Sequence, residues 1–262
     1  MKRFVCGEVK SNVSIAENIY EMRVAERFIA ENALPGQFVN IYTARADLLL
    51  PRPFGICETR AGDGEFRIIY QIVGGGTRHL SSFVPGAKIN IVGPAGNGYP
   101  VLNAGSTAVI GGGTGVPPLL FLVKELRRQN GDAAIDVFLG FRGARQIILT
   151  DEFMKTGASV HISTDDGSEG FRGSAADCLR ARKIKAGVIY SCGPRPMLKK
   201  IAEYAAGIDA ACYISLEERM ACGVGACLAC AAKLNVSGGG FAYKKVCSDG
   251  PVFDAREYVF DE

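Results

Sequence analysis

The sequence predicts a multi-domain chain in which an N-terminal antiparallel β-barrel precedes a parallel α/β domain and a small cysteine-bearing segment. Three observations predict this order. Short β-rich runs separated by turn residues fill residues 1–99. Strand and helix patterns alternate over residues 100–216, as in a doubly wound sheet. Residues 217–262 hold four crowded cysteines and no long periodic element. We therefore expect three domains with these boundaries.

The composition narrows the class of protein. A chain of 262 residues that is 48% apolar can bury the cores of two domains. The net charge of +3 disfavours a nucleic-acid partner, which would require a strong basic stripe. No run of about 18 apolar residues predicts a membrane span, and the N-terminus lacks the apolar stretch of a signal peptide. Nine cysteines without an export signal favour reduced thiols, so we expect a cytoplasmic protein with no membrane partner.

The barrel prediction rests on six short runs that are rich in β-formers. They cover residues 4–9, 19–25, 37–42, 54–58, 66–73 and 88–92, with a short helix over 77–83. Arg52 stands between two prolines just before a strand, where a fixed guanidinium can fork onto a phosphate. The run from Gly74 to Thr77 ends a strand and opens a helix, which is an anion-binding geometry. An exposed arginine and a flexible turn are the structural alternatives.

The α/β prediction begins after a breaker run, GPAGNGYP, at residues 93–100. Strands are expected over 107–110, 135–139, 159–162, 187–190 and 211–215, with helices over 117–129, 174–181 and 197–206. The glycine-rich loop 111–115 follows the first strand, and its glycines allow a pyrophosphate to approach a helix N-terminus. Val116 stands where a strict G-x-G-x-x-G has its third glycine, so a plain strand–helix turn stays open.

A second turn, Cys192-Gly193-Pro194, ends a later strand of the same sheet. Ligands bind beyond the carboxyl ends of parallel strands, so this turn is expected beside the glycine-rich loop. A simple turn with a buried thiol is the alternative.

The four C-terminal cysteines carry the most specific signal. Their spacing is Cys222-x4-Cys227-x2-Cys230-x16-Cys247, which matches the plant-type [2Fe–2S] pattern. Small residues between them let the loop wrap the cluster, so that backbone N–H groups point at the sulfur atoms. Structural zinc usually pairs C-x2-C with C-x2-C, and only one such pair is present. The spacing favours an iron–sulfur cluster over zinc or four unligated thiols.

In this order, the segments resemble the ferredoxin–NAD(P) reductase superfamily and, within it, the electron-transfer subunits of class 1B dihydroorotate dehydrogenase. The sharpest match is SLEERMACGVGACLAC at residues 215–230, followed by Cys247 and DGPVF at 249–253. The resemblance spans essentially the whole chain. It implies a FAD-binding barrel, a Rossmann-like NAD-binding domain and a [2Fe–2S] domain.

The resemblance also implies the residues of each site. FAD would contact Arg52, Pro53, Phe54, Gly55, Ile69, Tyr70, Gln71, Gly76 and Thr77. NAD(H) would contact Gly112, Gly113, Thr114, Gly115, Cys192, Gly193 and Pro194. The cluster would be held by Cys222, Cys227, Cys230 and Cys247. The family often has serine where Gly55 stands, and NAD rather than NADP is implied, although Arg142 and Arg145 could in principle hold a 2′-phosphate.

The implied function is an electron relay in pyrimidine biosynthesis. Dihydroorotate is oxidised at the FMN of a separate catalytic subunit, in a heterotetramer with two copies of each chain. Electrons pass singly through the [2Fe–2S] cluster to FAD, which delivers a hydride to NAD⁺. No acid–base residue suited to dihydroorotate stands out, so no catalytic residue is expected in this chain. The alternatives are the reductase subunit of a related transhydrogenase, sulfide or sulfite reductase, and a zinc-stapled interaction module.

Overall fold

The N-terminal part of the chain forms the predicted barrel. A computed structural model describes residues 2–236 and 238–260. Six antiparallel strands close in the order β1-β2-β5-β4-β3-β6. They are β1 (Arg3–Ala16), β2 (Ile19–Ala25), β3 (Phe38–Tyr42), β4 (Arg52–Arg60), β5 (Glu65–Gln71) and β6 (Lys88–Ala95). The six predicted barrel strands are confirmed, and β1 is longer than its pattern indicated.

Two short helices accompany the barrel. Helix α1 (Arg27–Asn32) was not predicted, and it begins where the Glu26 carboxylate accepts hydrogen bonds from the N–H groups of Phe28 and Ile29. Helix α2 (Gly75–Leu80) lies at the predicted position, shifted toward the N-terminus.

The middle of the chain forms a parallel sheet with helices on both faces. Its strands are β7 (Ser106–Gly112), β8 (Ala134–Phe141), β9 (Ser159–Thr164), β10 (Phe171–Arg172), β11 (Val188–Cys192) and β12 (Ala211–Ser215). They lie in the order β10-β9-β8-β7-β11-β12, and the helices are α3 (Val116–Asn130), α4 (Thr150–Met154), α5 (Ala175–Arg182) and α6 (Arg195–Gly207). The strand order reverses between β7 and β11, which is where doubly wound sheets bind ligands.

The C-terminal segment leaves this sheet and returns to it. Strands β13 (Ala231–Asn235) and β14 (Phe241–Lys245) form a separate antiparallel hairpin. Strand β15 (Val252–Asp254) then pairs antiparallel with β12, with Ser215 opposite Val252. The cysteine-bearing loop is therefore an excursion whose two ends meet at the edge of the α/β sheet.

The barrel and the α/β domain share a packed interface. Barrel residues Ile19, Cys57 and Ile69 belong to the same buried cluster as Val116 and Leu119 at the start of α3. Within residues 2–236 and 238–260, no helix has the length and apolar character that a membrane crossing requires. The shared core fixes the barrel against the glycine-rich loop that opens α3.

Candidate cofactor-binding sites

A first cavity of about 340 Å³ lies where the barrel, the glycine-rich loop and the C-terminal segment meet. The predicted FAD contacts that line it are Arg52, Pro53, Phe54, Gly55, Ile69, Tyr70, Gln71 and Thr77. Leu216, Glu218 and Met220 also line it. These three residues were not predicted, because they are far from the barrel residues in the sequence. The structure thus brings the predicted barrel residues into one wall.

The Arg52 guanidinium is held at the edge of this cavity. It donates hydrogen bonds to the backbone carbonyls of Leu48 and Leu50. Gly76 does not line the cavity but lies directly against Arg52. A Cβ atom at Gly76 would collide with the guanidinium. A glycine at the start of α2 therefore leaves room for a fixed, forked donor, which suits a phosphate group.

Two aromatic rings supply an apolar surface in the same cavity. The ring centroids of Phe54 and Tyr70 are 5.4 Å apart, and the rings are tilted by 50°. The Tyr70 hydroxyl donates to Asn12 Oδ1 at 2.9 Å, and burial raises the pKa of Tyr70, so the hydroxyl stays protonated. A planar flavin ring fits against such a surface.

Gly55 has a steric reason to be glycine. A Cβ atom at Gly55 would collide with the ring of Pro118, which also lines the cavity. A serine at this position would not fit unless Pro118 moved. The close contact therefore couples β4 of the barrel to the first turn of α3.

The two predicted turns of the α/β domain are in contact. They follow β7 and β11, which are neighbouring parallel strands with Gly111 opposite Cys192. A Cβ atom at Gly115 would collide with the Cys192 carbonyl oxygen and would lie 2.7 Å from the Gly193 nitrogen. Only glycine allows the two backbones to come this close.

A second cavity of about 340 Å³ adjoins the first on the α/β side. Of the predicted NAD contacts, Gly112, Gly113, Thr114 and Pro194 line it, whereas Gly115 and Cys192 line the first cavity. Gly193 lines neither cavity but packs against Gly112, whose nitrogen would lie 3.1 Å from a Cβ atom at Gly193.

Further polar residues line the second cavity at the carboxyl end of the sheet. Arg142 follows β8, Asp165 follows β9, and Lys200 reaches in from α6. Arg145 does not line it. The position of Asp165 directly after a parallel strand is the signal that could have placed it in the site.

Three residues line both cavities, namely Gln71, Thr114 and Glu217. They come from the barrel, the glycine-rich loop and the C-terminal segment. Burial raises the pKa of the Cys192 thiol to about 12, so the first cavity carries a neutral thiol rather than a thiolate at this position. Occupants of the two cavities would meet across this shared wall.

The four C-terminal cysteines form two pairs. The Sγ atoms of Cys222 and Cys227 are 3.3 Å apart. The N–H groups of Val224 and Cys227 donate to Cys222 Sγ at 3.5 and 3.4 Å, and they lower the pKa of Cys222 to about 6. Cys230 and Cys247 are buried beside each other, and burial raises the pKa of Cys247 to about 12.

This arrangement fits a two-iron cluster. Within the described residues, no three His, Cys, Asp or Glu side chains converge on one metal position. Tetrahedral zinc requires its ligands around a single point, whereas a [2Fe–2S] cluster is held by four cysteines spread over two irons. The two thiol pairs match the four cysteines of a [2Fe–2S] cluster. In one pair, Cys222 Sγ already accepts hydrogen bonds from two backbone N–H groups.

Comparison with known proteins agrees with this geometry. The model of the iron–sulfur cluster binding domain of dihydroorotate dehydrogenase B matches residues 217–259. The chain is 45% identical over 255 residues to the dihydroorotate dehydrogenase B (NAD(+)) electron transfer subunit of Bacillus caldolyticus, with 96% of each chain covered. It is 38% identical over 265 residues to that of Desulforamulus reducens, with both chains fully covered.

Solved structures show the same architecture. A chain from the NADH-dependent reduced ferredoxin–NADP oxidoreductase superposes with a TM-score of 0.85 and 30% identity, covering 97% of this chain and 89% of that one. Ferredoxin–NADP⁺ reductase from Plasmodium falciparum gives a TM-score of 0.64 at 14% identity, covering 79% of this chain and 92% of that one. The second likeness concerns the fold alone.

Proposed function

The chain belongs to the family of dihydroorotate dehydrogenase B (NAD(+)) electron transfer subunits, and from this premise we propose that it carries electrons from the FMN of a catalytic partner subunit to NAD⁺. It is an oxidoreductase subunit that uses a [2Fe–2S] cluster, FAD and NAD(H). The cluster supplies single-electron transfer, the nicotinamide supplies hydride transfer, and the flavin connects the two. Dihydroorotate itself is oxidised in the partner, in the pyrimidine biosynthetic reaction.

The first cavity is the proposed FAD site. Arg52, held by two backbone carbonyls, would bind the diphosphate, with Gly76 and Thr77 beside it. Phe54 and Tyr70 would support the isoalloxazine ring, and Gly55 would let Pro118 pack close to it. Pro53, Ile69 and Gln71 complete the predicted set.

The second cavity is the proposed NAD(H) site. The loop of Gly112, Gly113, Thr114 and Gly115, with the turn of Cys192, Gly193 and Pro194, would bracket the dinucleotide. The observation that carries the proposal is the shared wall of Gln71, Thr114 and Glu217, because it would place the nicotinamide against the flavin. Cys222, Cys227, Cys230 and Cys247 would hold the cluster.

The remaining details are proposed on the same basis. The three functional units would span residues 1–99, 100–216 and 217–262, with β15 of the last unit attached to the sheet of the second. The assembly would be a heterotetramer with two copies of each subunit. A cytoplasmic location would keep the cluster cysteines reduced for metal binding.

An anaerobic absorbance titration of the purified, iron-supplied protein tests the proposal. Flavin and cluster bands should bleach on addition of NADH and respond little to NADPH. Adding the catalytic subunit and dihydroorotate to the oxidised protein should then reduce the same bands. Bleaching by NADPH alone would favour a related transhydrogenase, and a colourless folded protein would favour the zinc-stapled module.

A further inference from the structure

Three successive carbonyl oxygens of the cluster loop accept hydrogen bonds from three distant side chains. Asn40 Nδ2 donates to the Gly223 oxygen at 3.3 Å. Lys2 Nζ donates to the Val224 oxygen at 2.7 Å, and Lys245 Nζ donates to the Gly225 oxygen at 2.8 Å. The donors come from β3 of the barrel, from the residue just before β1, and from the end of β14. We refer to Lys2, Asn40 and Lys245 as the carbonyl clamp.

The carbonyl clamp fixes where the N–H groups of the loop point. In a trans peptide unit the C=O of one residue and the N–H of the next face opposite ways. Each clamped carbonyl is therefore matched by an N–H on the cysteine side. The N–H of Val224 donates to Cys222 Sγ at 3.5 Å, and the N–H groups of Gly225 and Ala226 face the Cys247 and Cys222 thiols, respectively.

The backbone of the loop is shaped for this orientation. Gly223 and Gly225 have φ angles of +64° and +87°, in the left-handed region that favours glycine. Alternation of such residues turns consecutive N–H groups toward one side, which makes an anion-binding concavity. The loop sequence permits the inward N–H arrangement, and the carbonyl clamp holds it.

Asn40 forms a tight, buried contact between β3 of the barrel and the cluster loop. Its side chain is fully buried, and its Oδ1 atom has no hydrogen-bond partner within the described residues. A Cβ atom at Gly223 would collide with the Asn40 amide, so the strand and the loop are in tight contact. An incompletely satisfied buried amide is unfavourable for folding alone, which indicates a role in the site.

We propose that Lys2, Asn40 and Lys245 are positioning residues that orient three peptide units toward the cluster sulfurs and thereby raise the reduction potential of the cluster. The inference rests on the proposed function, since it requires the cluster. A reduced cluster carries one more negative charge than an oxidised one. Inward N–H dipoles and two ammonium groups behind the carbonyls stabilise that extra charge.

The test is an anaerobic redox titration of the full-length, cluster-loaded protein, monitored by electron paramagnetic resonance for the cluster and by absorbance for the flavin. The variants are Lys2→Met, Asn40→Leu, Lys245→Met and their combination. We expect each to lower the cluster midpoint. In the triple variant, the ratio of reduced to oxidised cluster at the wild-type midpoint should fall roughly tenfold, as expected when charge-assisted hydrogen bonds are lost. The flavin midpoint should stay unchanged.

Two matched variants separate positioning from a general structural effect. Lys244→Met removes a neighbouring, exposed ammonium group of β14 that does not bond the loop, and it should leave the midpoint unchanged. Lys245→Arg keeps the donor and the charge, so its cluster midpoint should stay close to the wild-type value. Wild-type cluster midpoints in iron-replete clamp variants would overturn the inference alone. A wild-type protein that binds no cluster would overturn the proposed function and the inference together.

Discussion

Arg67 of β5 and Glu152 of α4 form a two-point ion pair that joins the barrel to the α/β domain. Arg67 Nη1 is 2.9 Å from Glu152 Oε1, and Nη2 is 2.7 Å from Oε2. The Arg67 side chain is only 3% exposed, and it also pairs with Glu21 and Glu58 of the barrel. The barrel thus presents a nearly buried cation that pairs with the Glu152 carboxylate of the other domain.

Glu152→Gln should destabilise the protein by about 1–2 kcal/mol, since it leaves Arg67 with barrel partners only and Glu152 is partly exposed. The Arg67 guanidinium holds the pKa of Glu152 below its ordinary value of 4.5. Its stabilisation is therefore complete above pH 4.5 and lost as the pH falls through the lowered folded-state pKa. Thermal unfolding at pH 7 and below pH 4.5 measures both effects. Glu31→Gln, which breaks an exposed pair with Arg27, should change little.

Cys227→Ser should abolish the cluster while NADH still reduces FAD, because the cysteine pair lies apart from the shared cavity wall. Iron content and the rate of flavin reduction by NADH check the two halves of this expectation. Cys6→Ser, at an exposed thiol on β1, is the control and should keep both. Full electron transfer from the catalytic subunit in the Cys227 variant would contradict the relay.

Arg52→Ala should weaken FAD retention by about tenfold, the order expected for loss of a charge-assisted phosphate contact. Arg52→Lys should recover only part of it, since an ammonium group lacks the fork of donors. Flavin occupancy after gel filtration and the dissociation constant of FAD give the comparison. Arg45→Ala, at an exposed residue paired with Asp47, serves as the control. Unchanged occupancy in Arg52→Ala would remove Arg52 from the site.

Gly115→Ala should impair the nucleotide site, because the added methyl group collides with the Cys192 carbonyl and separates the two turns. The expected result is a higher KM for NADH and slower flavin reduction. Stopped-flow reduction by NADH measures both. Gly207→Ala at the end of α6, where a Cβ atom meets nothing within 4 Å, should behave like the wild type.

Gly55→Ser should also lower FAD affinity, because its Cβ atom collides with the Pro118 ring. Pro118→Ala in the same chain should restore much of that affinity by making room for the serine. A double-mutant cycle on FAD binding gives the coupling between the two positions. Additive effects would mean that Pro118 is not what requires glycine at position 55.

The sequence was most informative where a local pattern carries the structure. The alternating runs of the barrel and the switch to alternating strands and helices predicted both domains, since each depends on periodicity. Cysteine spacing predicted the cluster because three of the four cysteines, Cys222, Cys227 and Cys230, lie on one short loop. Helix α1 was missed because it has only six residues, and its start depends on the Glu26 side chain rather than on an apolar stripe.

Contacts between distant segments could not be predicted in this way. Asn40 reads as an ordinary strand residue, and nothing near it indicates that its amide meets a loop 183 positions later. Glu217 borders the proposed FAD and NAD(H) cavities only because β12 delivers it to the point where the other two units meet. The pairing of β15 with β12 likewise depends on a contact between distant segments, which local sequence patterns do not show.

The carbonyl clamp has a consequence for the order in which the protein matures. A ribosome makes the chain from the N-terminus, so the barrel strand that carries Asn40 emerges early and can fold while later segments are still being synthesised. Lys245 and Cys247 emerge last among the residues that shape the cluster loop. We therefore expect iron loading to be a late step of biogenesis that follows synthesis of the barrel, and nascent chains stalled before residue 245 would lack both Lys245 and Cys247.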